Sequence, residues 1–101
     1  MIFVYIACST RQEAKKIGMA CVKKHLAACA NYSPMESIYW WQKKLVLDKE
    51  YALILKTRKE NFPKVKSLVK KMHSYEVPCI CSWRINQVEK NYLEWLKENS
   101  K

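Results

Sequence analysis

The chemistry available to this chain lies in one histidine-led turn and five thiols. His73 opens the segment His73-Ser74-Tyr75-Glu76-Val77-Pro78, where a helix is expected to give way to a strand. An imidazole there can turn outward to a ligand, or its charge can complement the helix C-terminus. Pro78 fixes the chain as it enters the strand. Among the thiols, Cys8 is the better ligand candidate, because it ends an apolar run and strand ends become accessible while still held rigidly. Cys79 and Cys81 stand two apart on an expected strand, so both point to one face; they can grip a soft metal or fill the core, and core filling is favoured. Cys21 reads as a core position on its helix, and Cys29 starts a strand where either role fits.

Several catalytic readings lose their basis. The only glycine, Gly18, lies inside a helical segment, so no glycine-rich loop brings backbone amides to a phosphate. There is no His-Glu-x-x-His, no Cys-x-x-Cys and no Gly-x-Ser-x-Gly. A cysteine nucleophile with His73 as base lacks a third, orienting group. The chain is expected not to be an enzyme.

The elements that must position these groups follow from periodicity. Ile2 to Cys8 reads as a buried central strand, rich in β-branched and aromatic residues. Thr10-Arg11-Gln12-Glu13 is a capping box that starts a helix, in which Glu13 is expected to reach back to the cap amide. Ala14, Ile17 and Cys21 recur at helical spacing, and Lys23, Lys24 and His25 put positive charge in a last turn ending near Ala27. Ala28 to Trp41 reads as a long strand, bent or bulged at Pro34. After a polar turn at Gln42-Lys43-Lys44, Leu45 to Thr57 returns as its hairpin partner. Asn61-Phe62-Pro63 opens a second helix with a stripe of Phe62, Val65, Leu68, Val69 and Met72. Val77 to Ile85 is the fourth strand, and Glu89 to Glu98 a short closing helix. The order βαββαβ plus a C-terminal helix predicts an α+β, ferredoxin-like antiparallel sheet covered by helices on one face.

With 101 residues and no Gly-, Ser- or Pro-rich linker, residues 1–101 are expected to form one domain. The first eight residues lack a basic leader and the apolar length of a membrane span, so neither a signal peptide nor a transmembrane helix is expected. Five cysteines without a secretory signal fit a reducing compartment, and a cytoplasmic location is expected. A balance of 19 Lys and Arg against 9 Asp and Glu creates a positive field, but the lysines spread over several elements read as a solvated surface. Glu36-Ser37-Ile38-Tyr39-Trp40-Trp41 places aromatics on both faces of one strand, which points to a subunit interface.

End to end, the chain resembles the CutA divalent-cation tolerance proteins. The resemblance rests on Cys8-Ser9-Thr10, Leu26-Ala27-Ala28-Cys29-Ala30-Asn31, Glu36-Ser37-Ile38-Tyr39-Trp40-Trp41, Leu55-Lys56-Thr57, His73-Ser74-Tyr75-Glu76-Val77-Pro78 and Tyr92-Leu93-Glu94-Trp95-Leu96. It implies a ferredoxin-like subunit in a tight homotrimer whose strands extend neighbouring sheets, binding of a divalent metal, notably copper, and a role in metal tolerance. The family's proposed metal ligands fall on Cys8 and His73. Where some members carry a second histidine, this chain has Met72, whose thioether suits Cu(I) better than Cu(II). Where the family commonly has proline, this chain has Ser74, and a slightly looser turn is expected. Cys29, Tyr39, Trp41, Glu50, Tyr75 and Glu76 match positions around a cleft between subunits.

Two other readings compete. The fold and trimer resemble those of the nitrogen-regulatory signal proteins, which implies a trimeric sensor with an anionic small molecule in that cleft. RNA binding is suggested by the shared topology, the aromatic strand Ile2-Phe3-Val4-Tyr5-Ile6 and the +10 charge. Against it, Tyr51-Ala52-Leu53-Ile54-Leu55-Lys56 lacks the basic-Gly-aromatic run that stacks bases, and no nucleic-acid partner is expected.

Overall fold

A computed structural model describes all 101 residues. Strand β1 (Ile2–Cys8) alternates as its sequence suggests: Ile2, Val4, Ile6 and Cys8 point into the core, while Phe3 and Tyr5 point to the other face. Helix α1 (Arg11–Lys23) starts at Thr10, whose Oγ1 accepts the Glu13 N–H at 3.1 Å. Ala14, Ile17, Gly18 and Cys21 form its buried stripe. Gly18 permits a close approach, since a Cβ there would lie 3.1 Å from the Ala30 Cβ.

Helix α1 stops four residues before the expected Ala27. The backbone explains why: His25 sits in the left-handed region with φ 56°, the Leu26 N–H bonds Cys21 O and the His25 N–H bonds Val22 O. This is a Schellman stop, so His25 is the residue that ends the helix and not part of its last turn.

Strands β2 (Cys29–Trp41) and β3 (Lys44–Thr57) pair from Cys29↔Lys56 to Trp41↔Lys44 in one unbroken register. The expected bulge at Pro34 is absent. Strand β2 lies on the sheet edge, where a proline's missing N–H breaks no ladder bond. Positive φ at both Gln42 and Lys43 marks a two-residue turn of type I′, which leaves Lys44 in β3. This long hairpin helps give the molecule its 45 Å long axis.

A 3₁₀ turn (Lys59–Asn61) leads into α2 (Phe62–Met72), which buries Val65 and Val69; Met72 is exposed and so lies outside the core stripe. Strand β4 (Ile80–Arg84) is shorter than expected, leaving Val77 exposed. Helix α3 (Lys90–Asn99) is capped by the Glu89 carboxylate and buries Leu96. The sheet order is β2-β3-β1-β4, with every pairing antiparallel, and α1 and α2 supply the helical side of the core. The α+β ferredoxin-like arrangement is therefore present. No helix is long and apolar enough to cross a membrane.

Candidate metal centre and neighbouring cleft

The last residue of β1, the first turn of α1 and the end of α2 meet at one corner. Ligand atoms of Cys8, Glu13 and His73 all lie within 4.8 Å of one another there. Two of the three side chains, those of Cys8 and His73, are closed off from solvent, while Glu13 keeps a small exposed edge. Cys8 is 0 % exposed, contrary to the accessibility expected of a strand end, because its side chain falls on the core side of β1. Burial, with the nearby Glu13 and Glu50 charges, pushes its thiol up to about 12.

His73 does not turn outward as its loop position suggested. Its side chain is fully covered, and both ring nitrogens are engaged within the chain. Nε2 lies 2.7 Å from the Ala7 carbonyl oxygen, and Nδ1 accepts the Tyr75 N–H at 3.0 Å. A nitrogen facing an N–H must be the acceptor, so the ring is the tautomer that carries its proton on Nε2.

Glu13, expected from its spacing to be a capping residue, is also a member of this corner. Its Oε1 accepts from Ser9 N–H at 2.9 Å and from the Ser9 hydroxyl at 3.1 Å, so it reaches one residue before the cap amide. Its Oε2 accepts the Ser74 N–H at 2.9 Å. Partial burial pushes this carboxyl up, but the Ser9 and Ser74 hydrogen bonds and the nearby His73 ring outweigh it and hold the group below its ordinary value. Ser74 thus ties the turn to α1, and a proline would have no N–H to do so. This bond acts against the looseness expected from the absence of proline.

As a metal site, a thiolate, a carboxylate and an imidazole suit copper or zinc. Each donor is already committed, however: the thiol holds its proton, the carboxylate accepts three hydrogen bonds, and both imidazole nitrogens have partners. A metal that takes all three donors must displace hydrogen bonds of His73 and Glu13 and the Cys8 proton.

The same turn forms part of a second feature. Beyond His73, whose ring centroid is 4.8 Å from that of Tyr75, the chain borders a cleft of about 470 Å³. Its lining includes Tyr39, Trp41, Glu50, Tyr75, Glu76 and Cys79, so five of the six expected cleft residues come together. Cys29 does not join them within one chain; it pairs with Lys56 at the far end of the hairpin. The Tyr75 hydroxyl donates to Glu50 Oε2 at 2.5 Å, and Tyr39 donates to Asp48 Oδ2 at 3.1 Å. Burial and the Glu50 carboxylate push the Tyr75 phenol upward. The charged groups in the lining are Glu50 and Glu76, so this wall of the cleft favours a cation, not the anionic ligand expected of a sensor.

Cys79 and Cys81 are exposed, so the core-filling reading is corrected. Cys81 sits opposite Tyr5, on the face turned away from the helices, and Cys79 borders the cleft. Cys21 is buried as expected.

Comparison with known proteins agrees with this architecture. The family model described as the CutA1 divalent ion tolerance protein matches residues 2–99. The divalent-cation tolerance protein CutA of Archaeoglobus fulgidus is 43% identical over 96 residues, covering 95% of this chain and 94% of its own. A solved structure of that organism's protein, described as periplasmic, superposes with a TM-score of 0.97 over the whole of both chains at 41% identity. The CutA1 structure from Pyrococcus horikoshii gives a TM-score of 0.96 at 37% identity, covering 100% of this chain and 99% of its own. Fold, length and sequence agree along the whole chain, which belongs to the CutA1 divalent ion tolerance family.

Proposed function

We propose that this chain serves its family's metal-tolerance role as a non-catalytic, cytoplasmic homotrimer that takes up a divalent ion, copper before others, at Cys8, Glu13 and His73. The observation that carries this reading is the convergence of three ligand types within 4.8 Å at one corner. The ion is cargo, and its capture is linked to conformation and pH. Cys8 must release a proton held up to about 12, so apparent affinity rises about tenfold per pH unit across the neutral range. Equilibrium dialysis with Cu(II) or Zn(II) tests the assignment; binding unchanged in Cys8→Ala and Glu13→Gln variants would overturn it.

Assembly is supported by the hairpin. Ile38, Trp40, Leu45 and Leu47 share one face of β2 and β3 and are 71%, 72%, 55% and 74% exposed. Four large apolar side chains together form a patch suited to a subunit contact. Light scattering should give three chains for the parent and a smaller species for Ile38→Glu, Leu47→Glu. Five unpaired thiols support a reducing, cytoplasmic setting, which fractionation of the tagged protein checks.

A second reading has its own observation, the cleft with Trp41 and the Tyr75–Glu50 pair. Its acidic and aromatic lining suits a small molecule carrying a cationic group. A thermal-shift series of amines against carboxylates of matched size tests it, with stabilisation by carboxylates alone as the contrary result.

A further inference from the structure

One buried carboxylate in this molecule has no cation beside it. Glu50 is 6% exposed; its Oε2 accepts the Tyr75 hydroxyl, and its Oε1 has no hydrogen-bond partner. The chain holds 19 Lys and Arg, yet none of them forms an ion pair with Glu50. A carboxylate taken out of water without a counter-charge destabilises the fold, and a cation supplied from outside relieves that penalty.

The surroundings of Glu50 narrow the kind of cation. Glu50 lines the cleft of about 470 Å³, a volume in the range of small-molecule sites. Tyr39, Trp41 and Tyr75 supply aromatic walls, Glu76 adds a second carboxylate, and no lysine, arginine or histidine is among the lining residues. A bare metal ion fits this lining poorly, since three convergent donors occur at the Cys8, Glu13 and His73 corner and not in the cleft. A quaternary ammonium would meet the rings but has no N–H to give Oε1. A ligand bearing a carboxylate would be repelled by Glu50 and Glu76. A protonated amine satisfies both parts of the cleft: its N–H donates to Glu50, and its hydrocarbon part lies against the rings.

We infer that the cleft is a site for a small protonated primary or secondary amine that carries no carboxylate. Its ammonium group donates to Glu50 Oε1, while Trp41 and Tyr39 flank its apolar body. The Tyr75 hydroxyl keeps Oε2 occupied, which leaves Oε1 to the ligand. The inference rests on the reading of the cleft as a cation site and adds which class of cation it takes.

The test is isothermal titration calorimetry of the assembled protein at neutral pH with phenethylamine, its trimethylammonium analogue and hydrocinnamate, probes that share a phenyl ring and a two-carbon arm. The primary amine should bind roughly tenfold or more tightly than the trimethylammonium analogue, and the carboxylate should give no binding heat. Glu50→Gln should weaken the primary amine roughly 50-fold and erase its lead over the analogue, whereas Trp41→Leu should weaken both roughly tenfold. Binding of the trimethylammonium analogue as tight as that of the primary amine would overturn the inference and leave the cation reading of the cleft standing. Silence from both cations would overturn the two together. These outcomes are read on the parent protein, so they decide the matter even where Glu50→Gln does not fold. Cys8→Ala should leave all three titrations unchanged, which separates this site from the metal corner.

Discussion

Two regions of this molecule carry reactive side chains and treat them in opposite ways. At the corner of Cys8, Glu13 and His73, every donor is consumed by the fold: the thiol is buried and protonated, the ring bridges Ala7 and Tyr75, and the carboxylate ties Ser9 to Ser74. On the open face, Cys79 and Cys81 are exposed, and at the cleft beside them the buried Glu50 has a single hydrogen-bond partner in Tyr75. Residues that look like ligands by type can therefore be structural by commitment. Free valence and access, more than residue identity, decide which of these side chains can react.

The contrast can be broken most forcefully at His73. A His73→Ala change leaves the Ala7 carbonyl and the Tyr75 N–H without partners and should lower stability by about 3 kcal/mol, read as a fall in the urea midpoint. If the ring were instead a free ligand, the midpoint would hardly move. Next comes Tyr75→Phe, which strips Glu50 of its hydrogen bond and should cost about 2 kcal/mol by the same measurement.

Glu13→Gln should have a smaller effect, about 1 kcal/mol at pH 7. The sign of its pH dependence is fixed by the direction of the shift. A carboxyl held below its ordinary value of 4.5 stabilises the fold above that pH, and the contribution fades as pH falls through the folded value. Parent and variant midpoints should therefore differ at neutral pH and converge in acid. A constant gap would mean that the carboxylate charge plays no part.

The architecture was largely legible before the structure, because alternation in Ile2–Cys8, helical spacing in α1 and the paired apolar runs of the hairpin are local signals that tertiary packing reinforces. The misses had physical causes. The early end of α1 depends on His25 adopting a left-handed conformation usually taken by glycine, which composition does not announce. The roles within the corner were hidden because Glu13 serves as both first-turn carboxylate and corner acid, and a capping box accounts for only the first of these. The exposure of Cys79 and Cys81 escaped because alternation says which residues share a face, but not whether helices cover that face. Asp48, which accepts from Tyr39, was missed for a similar reason: its partner stands on the other arm of the hairpin.

The contrast between the two regions is tested most directly by brief iodoacetamide labelling of the reduced native protein, read thiol by thiol by mass spectrometry. Labelling should fall on Cys79 and Cys81, while Cys8 and Cys21 stay unmodified until the protein is unfolded in urea. Native-state labelling of Cys8 as fast as that of Cys79 would contradict the account, because it would mean that the corner is open and its donors free.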